Sequence, residues 1–267
     1  MSTIQQLYSL QGRVAMVTGG AQNLGLEAAT GLGEAGADLV ITSRDLDKAR
    51  RIADTLATSL NVQVLPLALD ITSEPSVQVA FRAVIERFGH LDVLVNNAGG
   101  HGPGSTGDLV GESFAAWEGF VNANLHGTFL VMREAAKSMV PRKQGSIINI
   151  ASISSLIGRD RSIYAGCEGM KNPIGYTAAK AGVLGLTVDA AALLGADGIR
   201  VNAISPGGFE RGQPPVFVKR YSGRTMLGRM GQTGSDLKGP IVFLASEASR
   251  YVTGHNLVVD GGFTRLR

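Results

Sequence analysis

Seven short runs of apolar residues divide the chain, and each leads into a polar or glycine-rich stretch. The runs are nearly continuous in Val, Ile and Leu, whereas a half-exposed strand would alternate apolar and polar positions. We therefore predict strands that are covered on both faces, as in a parallel sheet. The predicted strands are residues 13–19, 37–43, 62–69, 91–97, 145–152, 199–206 and 256–262.

Longer segments with helical spacing lie between these runs, among them residues 24–36, 45–60 and 74–89. Parallel neighbours need such crossover connections, and the crossovers are right-handed. The pattern therefore predicts an α/β fold: a doubly wound, seven-stranded parallel sheet between two helix layers. No linker or change of composition interrupts it, so we predict a single domain over residues 1–267.

Composition narrows the class of protein. Hydrophobic residues make up 44% of the chain, no stretch approaches the roughly 18 apolar residues of a membrane span, and the first residues do not resemble a signal peptide. The single cysteine, Cys167, excludes an internal disulfide. The net charge of +3 is spread without runs of like charge. We expect a cytoplasmic protein with neither a membrane nor a nucleic-acid partner.

A glycine-rich loop follows the first predicted strand, in the sequence TGGAQNLGLEAA at residues 18–29. A loop between a strand and a helix can present backbone N–H groups and a helix N-terminus to a pyrophosphate. Glycines also occur where a chain only needs to turn. The flanking strand and helix favour a dinucleotide site.

The loop resembles the Thr-Gly-x-x-x-Gly-x-Gly motif of the short-chain dehydrogenase/reductase family, with Asn23 at the middle glycine. Asn tolerates positive φ, so the turn can survive. Further family motifs follow in order. They are NNAG at 96–99, NANLHGTF at 122–129, INIAS at 148–152, YTAAK at 176–180 and ISPGG at 204–208.

This resemblance implies a Rossmann-type fold, a homotetramer, and an enzyme related to gluconate or other sugar dehydrogenases and to 3-oxoacyl-ACP reductases. It also implies a set of residues around NAD(P). The implied cofactor-binding residues are Gly19, Gln22, Asn23, Leu24, Gly25, Ser43, Arg44, Asp70, Ile71, Asn97, Ala98, Gly99, Tyr176, Lys180, Pro206 and Gly207. The implied catalytic residues are Asn124, Ser152, Tyr176 and Lys180.

The Tyr176–Lys180 pair has a physical rationale of its own. A phenol has a pKa near 10 and is a poor base at neutral pH, but a nearby ammonium favours the phenolate. Residues four apart share one face of a helix. Ser152 ends the fifth strand, where its hydroxyl can contact a substrate oxygen, and Asn124 can hold a water at a helix interruption. Each residue taken singly could instead be a surface pair, a cap or a solvated side chain.

Tyr164 is a competing candidate, because it lies twelve residues after Ser152, close to the family's usual interval. Its partner four residues on is Glu168, which would raise the pKa of the phenol. The two glycines of AGCEG also make a poor helix start. We therefore assign the acid–base role to Tyr176.

The end of the second strand bears on the choice of cofactor. NAD-preferring relatives carry an acid at the position of Ser43, and here Ser43 and Arg44 can contact a 2′-phosphate. Arg44 could instead be a solvated residue beside an Asp45 helix cap. We expect NADP(H) to be preferred, with NAD(H) possible. His101 and His126 have no partner at metal-ligand spacing, so we expect no metal site.

The sequence thus predicts reversible interconversion of a ketone and a secondary alcohol in a small-molecule substrate. A sugar, polyol or sugar acid is the preferred substrate, with a 3-oxoacyl thioester as the alternative. A non-catalytic NAD(P)-sensing regulator is the alternative from another class. An insertion at about residues 156–175 brings Arg159, Arg161 and Lys171 towards the active-site crevice. It would form a wall or lid there, or else a subunit contact.

Overall fold

The computed structural model describes residues 2–100, 105–167, 170 and 173–266. Its strands are β1 (Val14–Val17), β2 (Asp38–Ser43), β3 (Val64–Ala68), β4 (Val93–Asn96), β5 (Gly145–Ile150), β6 (Ile199–Pro206), β7 (Phe209–Glu210), β8 (Gly231–Gln232) and β9 (Asn256–Val259). Seven of them form one parallel sheet in the order β3-β2-β1-β4-β5-β6-β9. The chain winds outward from β1 in both directions, so the predicted Rossmann-type, doubly wound, seven-stranded fold is confirmed.

Helices cover both faces of this sheet. They are α1 (Ile4–Tyr8), α2 (Asn23–Glu34), α3 (Leu46–Leu60), α4 (Glu74–Phe88), α5 (Phe114–Val121), α6 (Gly127–Met139), α7 (Ile174–Leu194), α8 (Pro215–Ser222) and α9 (Lys238–Ala245). Successive strand residues point to opposite faces. Val17 and Val95 pack with α2 and α9, whereas Met16 and Leu94 pack with α4 and α6. Two apolar cores therefore sandwich the sheet.

Several predicted strands are longer than the observed ones. Strand β1 ends at Val17, because Gly19 turns the chain with a φ of 63°. Strand β9 ends at Val259, before Gly261 and Gly262, whose φ values are 63° and 84°. The two-residue strands β7 and β8 form a separate small parallel sheet that was not predicted, because two residues carry no recognisable pattern.

Helix α7 is the longest helix of the described chain. Residues 174–197 are long and apolar enough to cross a membrane by length and composition, the one such helical segment among the described residues. A core helix meets the same test, so this is weak evidence for a span. In this fold α7 packs against β6 and α5, and it carries the buried Lys180.

Candidate active site

The carboxyl ends of the central strands open onto a cleft of about 710 Å³. In doubly wound sheets this is the edge where ligands bind. The cleft brings together six of the predicted residues from four separate parts of the sequence. These are Asn23, Leu24, Ser152, Tyr176, Pro206 and Gly207.

The phosphate loop has the backbone that the sequence predicted. Asn23 adopts a positive φ of 50°, so the expectation that Asn can replace the glycine of this turn is confirmed. Helix α2 begins at Asn23, and its N-cap residue, Gln22, makes no side-chain capping hydrogen bond. The N-terminus of α2 therefore presents backbone N–H groups without a side-chain cap, which fits a pyrophosphate.

Close packing holds this loop against the end of β4. A Cβ atom on Gly25 would lie 2.2 Å from the Gly19 carbonyl oxygen and 2.5 Å from Asn97 Nδ2, so a side chain has no room there. Asn97 Nδ2 donates to the carbonyls of Thr18 (2.9 Å) and Gly19 (3.3 Å). The Thr18 hydroxyl accepts from the backbone N–H of Asn97 and of Ala98, both at 3.0 Å. Four predicted cofactor residues therefore lie side by side.

Asn124 lies in a π-helical turn, Asn122–His126, which joins α5 to α6. The predicted helix interruption is therefore present. The side chain is 1% exposed, and Nδ2 donates to the carbonyls of Gly100 (2.9 Å) and Phe120 (3.0 Å). A Cβ atom on Gly99 would come within 2.4 Å of Asn124 Oδ1. The glycine of NNAG therefore lets this amide approach the end of β4.

A chain of buried amides, which the sequence analysis missed, fixes α7 against the sheet. Asn96 Nδ2 donates to Asn149 Oδ1, and Asn149 Nδ2 donates to the Thr187 hydroxyl, both at 3.0 Å. All three residues are buried. The chain runs from β4 through β5 to α7 and sets how α7 faces the cleft. The sequence signal that could have indicated this chain of hydrogen bonds is Asn149, a polar residue inside the apolar run IINI.

Tyr176 and Lys180 lie one turn apart near the start of α7. Tyr176 is half-buried and lines the cleft. Lys180 is 4% exposed, and its Nζ lies 5.9 Å from the centroid of the Tyr176 ring. Nζ donates to the carbonyl of Ile150 (2.6 Å). Burial lowers the pKa of Lys180 to about 8. The structure therefore places a desolvated lysine beside the phenol.

Ser152 follows β5 and is buried at the edge of the cleft. Its oxygen accepts from the backbone N–H (3.2 Å) and from the hydroxyl (2.9 Å) of Ser154. A serine oxygen has two acceptor positions and one proton to donate. With Ser154 donating to it, the Ser152 hydroxyl can turn its own proton towards a substrate oxygen.

Tyr164 also lines the cleft, but in a different setting. It ends a 3₁₀ turn, Arg161–Tyr164, and its ring centroid lies 5.3 Å from that of Phe217. Burial raises the pKa of the Tyr164 phenol. The sequence analysis expected a raised value because of Glu168. That residue lies outside the described residues, and burial is the main cause that the structure shows.

The residues after β2 form the far end of the cofactor region. Ser43 Oγ accepts from the backbone N–H of Asp45 (3.1 Å), and the Asp45 side chain caps α3 at the N–H of Lys48 (3.0 Å). The predicted Asp45 cap is therefore present. Arg44 is exposed. This end of β2 carries no acid at the Ser43 position.

Lys48 adds a cation that the sequence analysis did not assign to this region. Its Nζ donates to Gln22 Oε1 in the phosphate loop. Asp70 lies beyond β3, where hydrogen bonds from Thr72, and then the charge of Arg44, hold the pKa of its carboxyl below the usual value. Ile71 is buried, and a Cβ atom on Gly127 would meet its side chain. No local sequence signal connects Lys48 with Gln22.

The described part of the predicted insertion lines the cleft, as the wall hypothesis requires. Its lining residues are Ile157, Arg159, Asp160, Ile163, Tyr164, Met170 and Pro173. Three of them, Ile163, Tyr164 and Met170, pack in one cluster with Phe217, Tyr221, Met230 and Phe263, which lie far away in sequence. Helix α7 begins at Ile174, near the end of the segment predicted as the insertion.

Three residues named in the sequence analysis, His101, Glu168 and Lys171, lie outside the described residues. His126 is exposed in the π-helical turn. Within the described ranges no group of three or more His, Cys, Asp or Glu side chains could hold a metal ion.

A phosphate-binding loop at the switch point of such a sheet is typical of dinucleotide-binding proteins. The tyrosine–lysine pair and the serine beside it place this chain in the class of NAD(P)-dependent oxidoreductases. A family model described as "Enoyl-(Acyl carrier protein) reductase" matches residues 19–264. The chain belongs to the short-chain dehydrogenase/reductase family.

Two curated relatives and one solved structure illustrate the similarity. The chain is 36% identical to (+)-borneol dehydrogenase 2 of Salvia officinalis, over 96% of this chain and 90% of the relative. It is 38% identical to trans-4-hydroxycyclohexanecarboxylate dehydrogenase of Sinomonas cyclohexanicum, over 94% and 93%. The structure of a gluconate 5-dehydrogenase from Burkholderia cenocepacia J2315 in complex with NADP and tartrate is 33% identical. It covers 98% of this chain and 99% of that chain, with a TM-score of 0.87.

Proposed function

We propose that this protein interconverts a ketone and a secondary alcohol, with Tyr176 as the general acid and base. The observation that carries the proposal is the buried Lys180 one helical turn from Tyr176, at the edge of a cleft that Ser152 also lines. A protonated lysine beside a phenol favours the phenolate, so the hydroxyl can give up and take back a proton.

Each residue has a distinct role in this proposal. In the oxidative direction the Tyr176 oxygen accepts the proton of the substrate hydroxyl, while the Ser152 hydroxyl donates to the same substrate oxygen. In the reductive direction Tyr176 returns the proton. Asn124 holds a water that links Lys180 to solvent. The bound nicotinamide accepts or supplies the hydride.

We propose that NADP(H) is the preferred cofactor. Ser43, Arg44 and Lys48 place hydroxyl and cationic groups at the end of β2 and beside Gln22. These groups could bind a 2′-phosphate. Because residue 43 is a serine and not an acid, it would not repel that phosphate. Asp70 lies nearby and pairs electrostatically with Arg44.

The double variant Ser43→Asp/Arg44→Leu tests this preference. It adds repulsion and removes a phosphate partner, so the ratio of kcat/KM for NADP(H) over NAD(H) should fall by at least about tenfold. Arg51→Leu, a change at an exposed position on α3, the helix that follows, is the control and should leave the ratio unchanged. An unchanged ratio in the double variant would place the 2′-phosphate contact elsewhere.

For the substrate we propose a compact secondary alcohol, with a sugar or sugar acid as the first candidate. The wall opposite Tyr176 supports a second candidate, a carbocyclic alcohol. Phe217, Tyr221 and Phe263 line that wall, and an aromatic surface accepts the C–H face of a sugar ring or of a carbocycle. The relatives named for gluconate, borneol and hydroxycyclohexanecarboxylate oxidation support both candidates.

A substrate panel tests the proposal directly. NADP⁺ and NAD⁺ reduction would be followed with sugars, polyols, sugar acids, cyclic alcohols and hydroxy acids. Oxidation of NADPH and NADH would be followed with the matching ketones and with 3-oxoacyl thioesters. The proposal would be supported if the wild type turns over a compound of the panel and the Tyr176→Phe variant does not. Cofactor binding without turnover of any panel compound would instead favour the non-catalytic sensor.

We also propose a homotetramer that buries an exposed apolar face of α7 and α6. Val188, Leu193 and Phe129 are 58%, 71% and 44% exposed in the single chain. Exposed apolar side chains grouped on two helices are typical of an interaction surface. Val188→Glu/Leu193→Glu should reduce the mass measured by analytical ultracentrifugation, whereas an unchanged mass would place the interface elsewhere. The cytoplasmic location stays a prediction.

A further inference from the structure

One cation of the insertion has a setting unlike that of its neighbours. Arg159 is half-buried and lines the cleft, with its guanidinium carbon 5.6 Å from the centroid of the Tyr176 ring. Two further tyrosines, Tyr164 and Tyr221, lie close enough to interact with its charge. Arg159 therefore faces the place where the reacting part of the substrate would lie.

Among the described residues, no carboxylate lies within ion-pair distance of the Arg159 guanidinium, and none of the described hydrogen bonds has it as donor. The neighbouring arginines are engaged elsewhere. Arg224 forms an ion pair with Asp160, and Arg220 donates to the carbonyl of Ala165 (2.5 Å). These two hold the insertion against α8, so Arg159 is not needed for that purpose.

A partly desolvated guanidinium without an anion is costly to the folded chain, because burial removes water and nothing replaces it. Burial lowers the pKa of Arg159, yet an arginine keeps its proton at any physiological pH. Among the described residues that line the cleft, Asp160 is the only acid, and Arg224 already neutralises it. A ligand anion is the group that would complete this site.

We propose that Arg159 binds a carboxylate of the substrate and thereby selects a small hydroxy acid or keto acid. This rests on the proposed function, because the reacting carbon is placed at Tyr176 and Ser152. The planar guanidinium can hold a carboxylate through two parallel hydrogen bonds. Because the Arg159 guanidinium lies close to the Tyr176 ring, the distance between the carboxylate and the carbinol carbon of the substrate is limited. A small ring or a short chain would span it.

The apolar wall supports this reading of the cleft. Ile157 and Ile163 from the insertion and Phe217 from α8 surround the guanidinium side of the cleft with hydrocarbon. An ion pair in such surroundings is less screened than one in water. The substrate is therefore expected to carry a carboxylate at one end and a hydroxyl or ketone at the other, with the C–H face of a ring or a short chain against this wall.

Ligand binding tests the proposal without turnover. Cyclohexanecarboxylate and its neutral analogue cyclohexanecarboxamide would be titrated by calorimetry into the full-length protein saturated with NADP⁺. The wild type should prefer the carboxylate. Arg159→Gln should lose at least about tenfold in carboxylate affinity and keep its carboxamide affinity, whereas Arg159→Lys should keep part of the preference. A protein that shows this pattern and turns over no substrate would contradict the proposed function and leave this proposal standing.

Arg211→Gln is the matched control, because Arg211 is the other cation among the described residues that line the cleft and it is exposed. Its effect on carboxylate affinity should be less than about threefold. The proposal is wrong if the wild type does not prefer the carboxylate. It is also wrong if Arg159→Gln weakens both probes alike, or if Arg211→Gln alone removes the preference.

Kinetics separate substrate binding from an effect on the acid–base group. For a hydroxy acid that the enzyme oxidises, Arg159→Gln should raise KM with little change in kcat or its pH profile. The carboxamide of the same compound should be unaffected. A fall in kcat for both compounds with a shifted pH profile would mean that Arg159 acts on Tyr176, and would overturn the carboxylate assignment.

Discussion

Tyr176 lies on one wall of the cleft and Tyr164 and Tyr221 on the other, and Tyr176 and Tyr164 differ in every respect that matters for proton transfer. Tyr176 rises from a long helix beside a buried lysine. Tyr164 ends a short 3₁₀ turn, packs its ring against Phe217, and has a pKa raised by burial. Proximity to the substrate is therefore not what separates a reactive phenol from a packing one.

The walls differ in construction as well. The wall with Tyr176 is built on the sheet, where Asn96, Asn149 and Thr187 tie α7 in place through buried hydrogen bonds. In the opposite wall, apolar contacts join the insertion to α8, and one partly exposed ion pair joins Asp160 of the insertion to Arg224, just after α8. A single substitution can replace one of these contacts at little cost in stability. Substituting one residue of the buried hydrogen-bonded series would instead leave its partner buried without a hydrogen bond. We infer that residues of the first wall carry out proton transfer and that residues of the second wall determine which substrate binds.

The largest expected effect separates the two tyrosines directly. Tyr176→Phe removes the titrating hydroxyl and should lower kcat by about 10²–10⁴-fold, with the Kd for NADP(H) unchanged. Tyr164→Phe should stay within about tenfold of wild type, because it removes at most one substrate contact. Steady-state kinetics and cofactor titration measure both. The assignment would be wrong if the two variants exchanged these results.

The next effect concerns the insertion. Shortening residues 156–173 should raise KM by about tenfold or change the preferred substrate, because it removes one side of the apolar wall. The affinity for NADP(H) should not change, since the described hydrogen bonds of the phosphate loop involve no residue of the insertion. A variant that keeps its substrate profile and loses only its assembly state would make the insertion a subunit contact.

The third effect is a pH dependence of the free energy of unfolding, caused by Lys180 beside Tyr176. Burial lowers the pKa of Lys180 from 10.5 to about 8. Between these values the unfolded chain keeps the lysine proton and the folded chain releases it, so raising the pH stabilises the folded state.

Lys180→Met abolishes this contribution. The free energy of unfolding of wild type relative to the variant should therefore rise by about 1 kcal/mol per pH unit between pH 8 and 10.5, measured by urea denaturation. Lys219→Met, at an exposed position on α8, is the control. A flat difference for Lys180→Met would show that Lys180 titrates alike in both states.

The smallest effect on stability and activity is expected from the ion pair between Arg224 and Asp160 in the second wall. The side chains of Arg224 and Asp160 are 50% and 34% exposed, and such pairs contribute about 1 kcal/mol or less. Arg224→Leu should change the free energy of unfolding by no more than that, and KM by less than about threefold. A large fall in kcat would contradict the separation of roles between the two walls.

The sequence was informative wherever a feature is local. Continuous apolar runs predicted the sheet, and the four-residue spacing to Lys180 predicted which tyrosine lies beside a buried lysine. The tolerance of Asn for positive φ predicted the backbone at Asn23. Features built by distant residues were missed. Lys48 reaches Gln22 only because α3 folds back beside α2, and Ile163 meets Phe217 and Phe263 across long stretches of chain. No periodicity records such contacts, since they depend on how the elements are packed.

The π-helical turn at Asn122–His126 has a further consequence, for the tolerance of the chain to insertions and deletions. The backbone N–H of Gly127 donates to the carbonyl of Asn122, five residues back, so this turn holds one residue more than an α-helical turn. Each residue of an α-helix advances the side chains by about 100°. The π-helical turn takes up its extra residue within about one turn, so a single-residue deletion within Asn122–His126 that restores regular helix should leave α6 nearly in phase with α5. The same deletion within α6 would rotate the residues after it by about 100° and put the buried face of α6 out of phase, so this turn is the place where the segment should best tolerate the loss of one residue.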